Sequence, residues 1–179
     1  MALPKFLQFG KSYAGQTVDL SKDTASEVVE ASQTSNSTFF LGSGATTLTA
    51  GDFDTVYAGK GNDFVYSARG TSLVTGPGSD TFAYGVGSKP QSPGMIGACR
   101  VDDNGTNGGT NNETIEIAKS FFGTTAAQQN ANLAAAIANA NSDAGLQADG
   151  SRTLTIDGKG DSITFLSGAQ LDKSHFKLV

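Results

Sequence analysis

Two stretches of nine residues decide the fold: AGKGNDFVY at residues 58–66 and TGPGSDTFA at residues 75–83. In both, glycines occupy the second and fourth positions, an aspartate the sixth and an apolar residue the eighth. A weaker copy, TAGDFDTVY at residues 49–57, keeps the aspartate and the apolar residue. Residues 41–48 form a degraded copy, and residues 67–74 form one that is a residue short, with Ser72 in place of the aspartate. Such a repeat indicates a stack of equivalent structural units.

The apolar residues of these copies recur every eight or nine positions, at Leu48, Val56, Val65, Val74 and Phe82. We expect these side chains to point inward and stack on one another. In each copy six residues form a turn and three form a short strand, and the glycines allow backbone conformations that other residues avoid. Two copies make one coil, so turns two copies apart lie on the same edge. The pattern therefore places Asp63 and Asp80 in neighbouring turns and Asp54 on the opposite edge.

These turns bring together the oxygen atoms that calcium prefers. The glycines direct carbonyl oxygens into the turn and the aspartate adds a carboxylate, whereas Ca²⁺ takes six to eight oxygens at about 2.3–2.6 Å. We predict a Ca²⁺ site between residues 59–63 and residues 76–80. Its carboxylates come from Asp63 and Asp80, and its carbonyls come from Gly59, Gly61, Gly76 and Gly78. Asp52 and Asp54 form a weaker second candidate site.

The repeat segment resembles the RTX family, the hemolysin-type calcium-binding repeats of secreted bacterial proteins. The resemblance implies a mainly β protein built on a short right-handed parallel β-roll, over residues 41–84 here. A loop at residues 85–112 follows. Residues 113–179 supply a β-hairpin and one α-helix that cap the roll. Residues 1–40 match no known segment and form a separate N-terminal segment, either a cap or an assembly strand.

The last third of the chain has ordinary secondary-structure patterning. Residues 113–117 alternate between polar and apolar and predict a strand. Thr125 and Gln128 form a capping box, which predicts a helix from Ala126 to about Asn141. We expect one face of this helix to be apolar, with Leu133, Ile137, Ala126, Ala134 and Ala138. Residues 153–156 and 162–165 predict a hairpin around the turn at residues 157–161.

This order of elements also resembles the tail of RTX proteins exported by type I secretion, which contains an uncleaved C-terminal signal. The resemblance implies a protein that is secreted to the exterior or the cell surface and has the type I apparatus as a partner. The N-terminus lacks the long apolar stretch of a signal peptide, which agrees with that route. Calcium outside the cell would then drive folding, because binding free energy adds to folding free energy.

Composition excludes several classes of function. The 179 residues include 12 Lys and Arg against 17 Asp and Glu, and this acidic balance argues against nucleic acid as a partner. One cysteine, Cys99, excludes an intrachain disulfide, and one histidine, His175, argues against a Ser-His-Asp triad. No apolar run approaches 18 residues, so we predict no membrane span.

The 40 residues before the repeats are too few for an enzyme domain. We therefore predict a non-enzymatic, secreted, calcium-binding structural protein that self-assembles into an extracellular filament, surface layer or matrix. One alternative is a calcium-dependent module that binds polysaccharide or another surface through Tyr57, Tyr66 and Tyr84. Another is the calcium-folding and secretion module of a larger enzyme. The apolar residues 3–9 either fold back as a cap or add to a neighbour's sheet edge, which yields a fibre.

Overall fold

The computed structural model of this chain describes residues 3–86, 96–102, 113–157 and 159–179. Within these residues the protein is mainly β, with two seven-stranded sheets and one α-helix. The first sheet contains, in spatial order, β1 (Lys5–Gln8), β3 (Glu27–Glu30), β5 (Thr46–Thr49), β7 (Phe64–Tyr66), β9 (Thr81–Tyr84), β11 (Thr114–Ile117) and β14 (Phe176–Leu178). The second contains β2 (Thr17–Asp19), β4 (Thr38–Phe40), β6 (Thr55–Tyr57), β8 (Ser72–Val74), β10 (Ala98–Asp102), β13 (Ser162–Phe165) and β12 (Arg152–Thr155).

Successive strands from β1 to β12 alternate between the two sheets, and neighbours within a sheet run parallel. The exception is the pair β12 and β13, which is antiparallel. This pair is the hairpin predicted from residues 153–165, and that prediction is confirmed. The strand predicted at residues 113–117 is confirmed as β11.

The register of the middle strands repeats every 17 residues. Thr38 pairs with Thr55 and Thr55 with Ser72, while Phe64 pairs with Thr81 in the other sheet. One coil therefore consists of an eight-residue step and a nine-residue step. The apolar residues of both sheets meet between them and form the core, which includes Phe39, Leu48, Val56, Val65, Leu73 and Phe82.

Four of the predicted inward positions, Leu48, Val56, Val65 and Phe82, are confirmed as buried. The fifth, Val74, is wrong. Leu73 pairs with Val56 and is only 1% exposed, whereas Val74 pairs with the outward-facing Tyr57. Because strand side chains alternate between the two faces, a shift of one residue exchanges inside and outside.

The sheets extend beyond residues 41–84 in both directions. Strands β1 to β4 come from residues 1–40, and β10 lies in the segment 85–112, where the sequence pattern predicts a loop. Paired residues are 22 positions apart between β1 and β3 and 28 apart between β8 and β10. Insertions of this kind hide the 17-residue repeat. Residues 87–95 and 103–112 of the predicted loop lie outside the described residues.

The helix α1 (Ala126–Asn141) covers the end of the molecule at which β12 lies. Thr125 and Gln128 form the predicted capping box, and both the box and the helix are confirmed. Leu133 and Ile137 are buried as predicted, together with Ala140, while Ala126, Ala134 and Ala138 are exposed. The helix packs on β12 and on the 3-10 turn Lys119–Phe122. None of the described helices is long and apolar enough to cross a membrane.

The opposite end is formed by β1 and β2. The ring of Phe9 contacts Phe39 at 5.8 Å and Tyr13 at 5.0 Å between centroids, so it covers part of the core there. Strand β1 pairs with β3 of its own chain, as the folding-back alternative for residues 3–9 requires. Leu3 and Phe6 nevertheless remain 92% and 62% exposed.

Candidate cation site in the turn column

Three turns, at residues 42–46, 59–63 and 76–80, stack at the 17-residue offset along one edge of the sheets; we call them the turn column. Their glycines pack against each other's carbonyl groups. A Cβ on Gly59 would overlap the Gly42 carbonyl oxygen, and a Cβ on Gly76 would overlap that of Gly59. The carbonyl oxygens of Gly59 and Gly61 thus point from the second turn towards Gly76 and Gly78 of the third.

The two aspartates of the turn column link neighbouring turns. Asp63 Oδ1 accepts a hydrogen bond from the backbone N–H of Thr46 at 2.8 Å, and Oδ2 accepts one from Gly59 at 3.0 Å. Asp80 repeats this arrangement one coil later, with Oδ1 accepting from the N–H of Asp63 and Oδ2 from that of Gly76. The structure therefore brings Asp63 and Asp80 into adjacent turns, as the repeat predicts.

Burial leaves these carboxylates with unfavourable negative charge. Desolvation raises the pKa of Asp63 to about 6, and the charge of Asp80 adds to the rise. Burial also raises the pKa of Asp80. The backbone N–H donors oppose this shift by stabilising the charged form, but burial has the larger effect. A cation between the turns would remove the penalty.

The donor set fits Ca²⁺. Each carboxylate oxygen has lone-pair capacity for more than one partner, so Asp63 and Asp80 retain acceptor capacity beside their N–H donors. Gly59 and Gly61 contribute carbonyl oxygens between the two turns, whereas Gly76 and Gly78 present their Cα atoms to that space. Water has to complete the six to eight ligands that Ca²⁺ takes. Among the described residues, no three His, Cys, Asp or Glu side chains cluster around one point.

The two aspartates of the weaker candidate site lie in different surroundings. Asp54 is fully buried and accepts hydrogen bonds from the N–H groups of Ser37 and Gly51 and from the Thr34 hydroxyl. Asp52 is partly exposed and forms an ion pair with Arg69 at 2.9 Å. The Arg69 guanidinium already supplies the positive charge next to Asp52, so the structure does not bring this pair together around a common cation position.

One turn residue was misassigned by sequence. Ser72 pairs with Thr55 on the outward face, so the residue equivalent to Asp54 is Thr71 and the predicted Ser72 is wrong. The Thr71 hydroxyl accepts from the N–H of Ala68 at 2.9 Å, as the aspartates do with their own turns. The reason is the same one-residue shift that exchanges Leu73 and Val74.

The remaining candidate side chains have structural partners. Tyr84 is buried and its hydroxyl donates to the Gly97 carbonyl oxygen at 2.7 Å. The ring of Tyr57 stacks on that of Phe40 at 4.7 Å, which occupies a ring face that a sugar would need. Tyr66 lies against Phe64. Cys99 is buried, and burial raises the pKa of its thiol to about 12.

Sequence reasoning missed a group of charged residues at the start of the turn column. Lys5 Nζ lies 3.0 Å from Asp23 Oδ2 and 3.3 Å from Glu27 Oε1. Glu27 pairs with Thr46, the first residue of β5, so it occupies the aspartate position of an earlier turn. The 19-residue offset between Glu27 and Thr46 was the available signal. Comparisons with family models, curated proteins and solved structures found no match for this chain.

In calcium-free buffer, wild-type protein is expected to gain stability relative to Asp63→Asn as the pH falls from 7.5 to 4.5. Since the folded-state pKa of Asp63 is about 6 against an ordinary 3.8, the folded state binds this proton more tightly. The contribution is complete below pH 3.8 and is lost as the pH rises through 6; it amounts to at most about 3 kcal/mol. Urea unfolding of both proteins in EDTA measures the difference, and parallel pH profiles would contradict the assignment.

Proposed function

We propose that this protein is a non-enzymatic, calcium-stabilised structural protein of the cell exterior that assembles end to end into filaments. The fold we propose is a short parallel β-roll of the RTX kind, with the hairpin and the helix as its C-terminal cap. Export by the type I route, through the C-terminal tail, is part of the proposal. The single observation that carries it is that β1 and β14 are the terminal strands of one parallel sheet.

The terminal strand β1 offers hydrogen-bonding groups to a further strand. Its residues Lys5 and Phe9 donate their N–H groups to the carbonyl oxygens of Ser26 and Glu30 in and next to β3. Because successive residues of a strand point their N–H groups to opposite sides, those of Phe6 and Gln8 face away from β3. Such an edge pairs readily with another chain.

At the other end of the same sheet, β14 runs parallel to β11. If β1 of one molecule pairs with β14 of the next, the parallel sheet continues across the junction. This contact joins two different surfaces, so it repeats without closing and produces a fibre. The exposed side chain of Phe6 would gain apolar contact in such a junction.

Calcium contributes by stabilising the coils that hold these strands in place. The buried carboxylates of Asp63 and Asp80 lie in adjacent turns, and a divalent cation between them offsets both charges. An ion that binds only the folded state stabilises it by mass action, by about 2.7 kcal/mol at a concentration one hundred times its Kd. Assembly is then expected to require calcium.

Asp63→Asn is expected to lower the affinity for calcium at least tenfold, about 1.4 kcal/mol, because a charged ligand becomes neutral. Isothermal titration calorimetry of the full chain with calcium chloride measures the affinity. Asp143→Asn, which makes the same change of charge at an exposed position after the helix, is the matched control. Equal titration curves for the two variants would reject the Asp63 site.

A further inference from the structure

The first turn of the column contains a buried carboxylate that lacks hydrogen-bond donors. Glu27 is 2% exposed, and neither of its carboxylate oxygens accepts a hydrogen bond from the residues that the structure describes. A buried carboxylate normally has such partners, and leaving one without them costs free energy. Its Oε1 has one charged neighbour, the ammonium of Lys5 at 3.3 Å.

Asp23 completes this group. The same Lys5 ammonium donates a hydrogen bond to Asp23 Oδ2 at 3.0 Å, so one cation lies between two carboxylates. Burial, and after it the neighbouring Asp23, raises the pKa of Glu27, while the hydrogen bond from Lys5 lowers the pKa of Asp23. Glu27 therefore carries a charge that the single exposed lysine compensates only in part.

The position of the group corresponds to that of the candidate calcium site. A Cβ on Gly42 would overlap the Asp23 carbonyl oxygen, so residues 23–27 stack on residues 42–46 as a further turn of the column. Glu27 differs from Asp63 in one important respect. Both oxygens of Asp63 already accept backbone N–H groups, whereas both oxygens of Glu27 remain available for bidentate binding of a hard cation.

We propose that Asp23 and Glu27 form a second divalent-cation site, in which Ca²⁺ binds in exchange for the ammonium of Lys5. Glu27 supplies two oxygens and Asp23 supplies a third, with water completing the shell. Lys5 is a competitor tethered in the same molecule, so it keeps the apparent affinity of the site low. Because Lys5 belongs to β1, calcium binding here also releases the ion pairs that attach this strand to the turn.

Removal of the competitor is the test, and calcium chloride is the probe. By calorimetry, Lys5→Met is expected to bind calcium at this site at least about tenfold more tightly than wild type. The added affinity is expected to disappear in the double variant Lys5→Met/Glu27→Gln. Lys11→Met, which removes an exposed lysine elsewhere, is the control for the change in net charge. If Lys5→Met and Lys11→Met titrate identically, the proposal is overturned.

A second measurement uses the wild-type chain and does not depend on the folding of any variant. Reductive ¹³C-methylation labels the lysines, and Lys5→Met identifies the NMR signals of Lys5. These signals are expected to shift during calcium titration as the ammonium leaves the carboxylates, and a Lys5 signal that stays constant at saturation overturns the proposal. The inference deepens the proposed calcium response, yet the Asp63→Asn titration can fail while this one succeeds, so the two remain distinguishable.

Discussion

Gln8→Pro is expected to abolish calcium-dependent filaments while the single molecule remains folded. Proline has no backbone N–H, and the N–H of Gln8 faces away from β3, so the substitution removes a donor only from the open edge of β1. The pairing of β1 with β3 through Lys5 and Phe9 is retained. Electron microscopy and sedimentation of the protein in millimolar calcium measure assembly.

Two matched variants separate the edge from other effects. Gln8→Ala keeps the N–H and is expected to form filaments like wild type. Deletion of residues 2–9 removes the strand and is also expected to prevent normal assembly, although it exposes β3 as a new edge. Filaments of undiminished length from Gln8→Pro would show that β1 is only a cap and would reject head-to-tail strand addition.

Gly59→Ala is expected to destabilise the protein by about 3 kcal/mol, at the upper end of the usual cost of overpacking. The added Cβ would overlap the Gly42 carbonyl oxygen and approach the Leu41 carbonyl oxygen to 2.7 Å. Both atoms belong to the backbone of a stacked turn and cannot rotate away. For a chain of this length the loss corresponds to a fall in melting temperature of about 6–12 °C. Thermal unfolding followed by circular dichroism measures it.

Gly10→Ala is the control for this prediction. Gly10 has φ of −96°, and a Cβ there meets nothing within 4 Å. Its melting temperature is expected to remain within about 2 °C of wild type, in line with surface substitutions that change stability by less than about 0.5 kcal/mol. Equal melting temperatures for Gly10→Ala and Gly59→Ala would mean that the turns are not stacked as closely as described.

Local patterns in the sequence were sufficient to predict several elements. The capping box of Thr125 and Gln128 defines the start of the helix, because it depends only on residues three positions apart. The alternation in residues 153–165 predicts the hairpin for the same reason. The repeat also places Asp63 and Asp80 in neighbouring turns, since two copies of the motif must complete one coil.

Other features depend on parallel pairing between distant residues, which leaves no local pattern. Pairing joins β10 to β13 across 64 positions and β11 to β14 across 61, so no periodicity in the sequence reveals these strands. Leu73 rather than Val74 faces the core because the register with Val56 is fixed by the whole stack. The first four strands likewise join the sheets through irregular offsets.

The chemical role of each carboxylate was also decided by the tertiary structure. The sequence determined that aspartates recur in glycine-rich turns, and therefore that oxygen atoms collect along one edge. Only the packing of coils determined which N–H groups reach Asp63 and Asp80, and that Asp52 meets Arg69. It also buries Glu27, which no motif distinguishes, without a hydrogen-bond donor, because burial and access to donors depend on which turns lie next to each other in the stack.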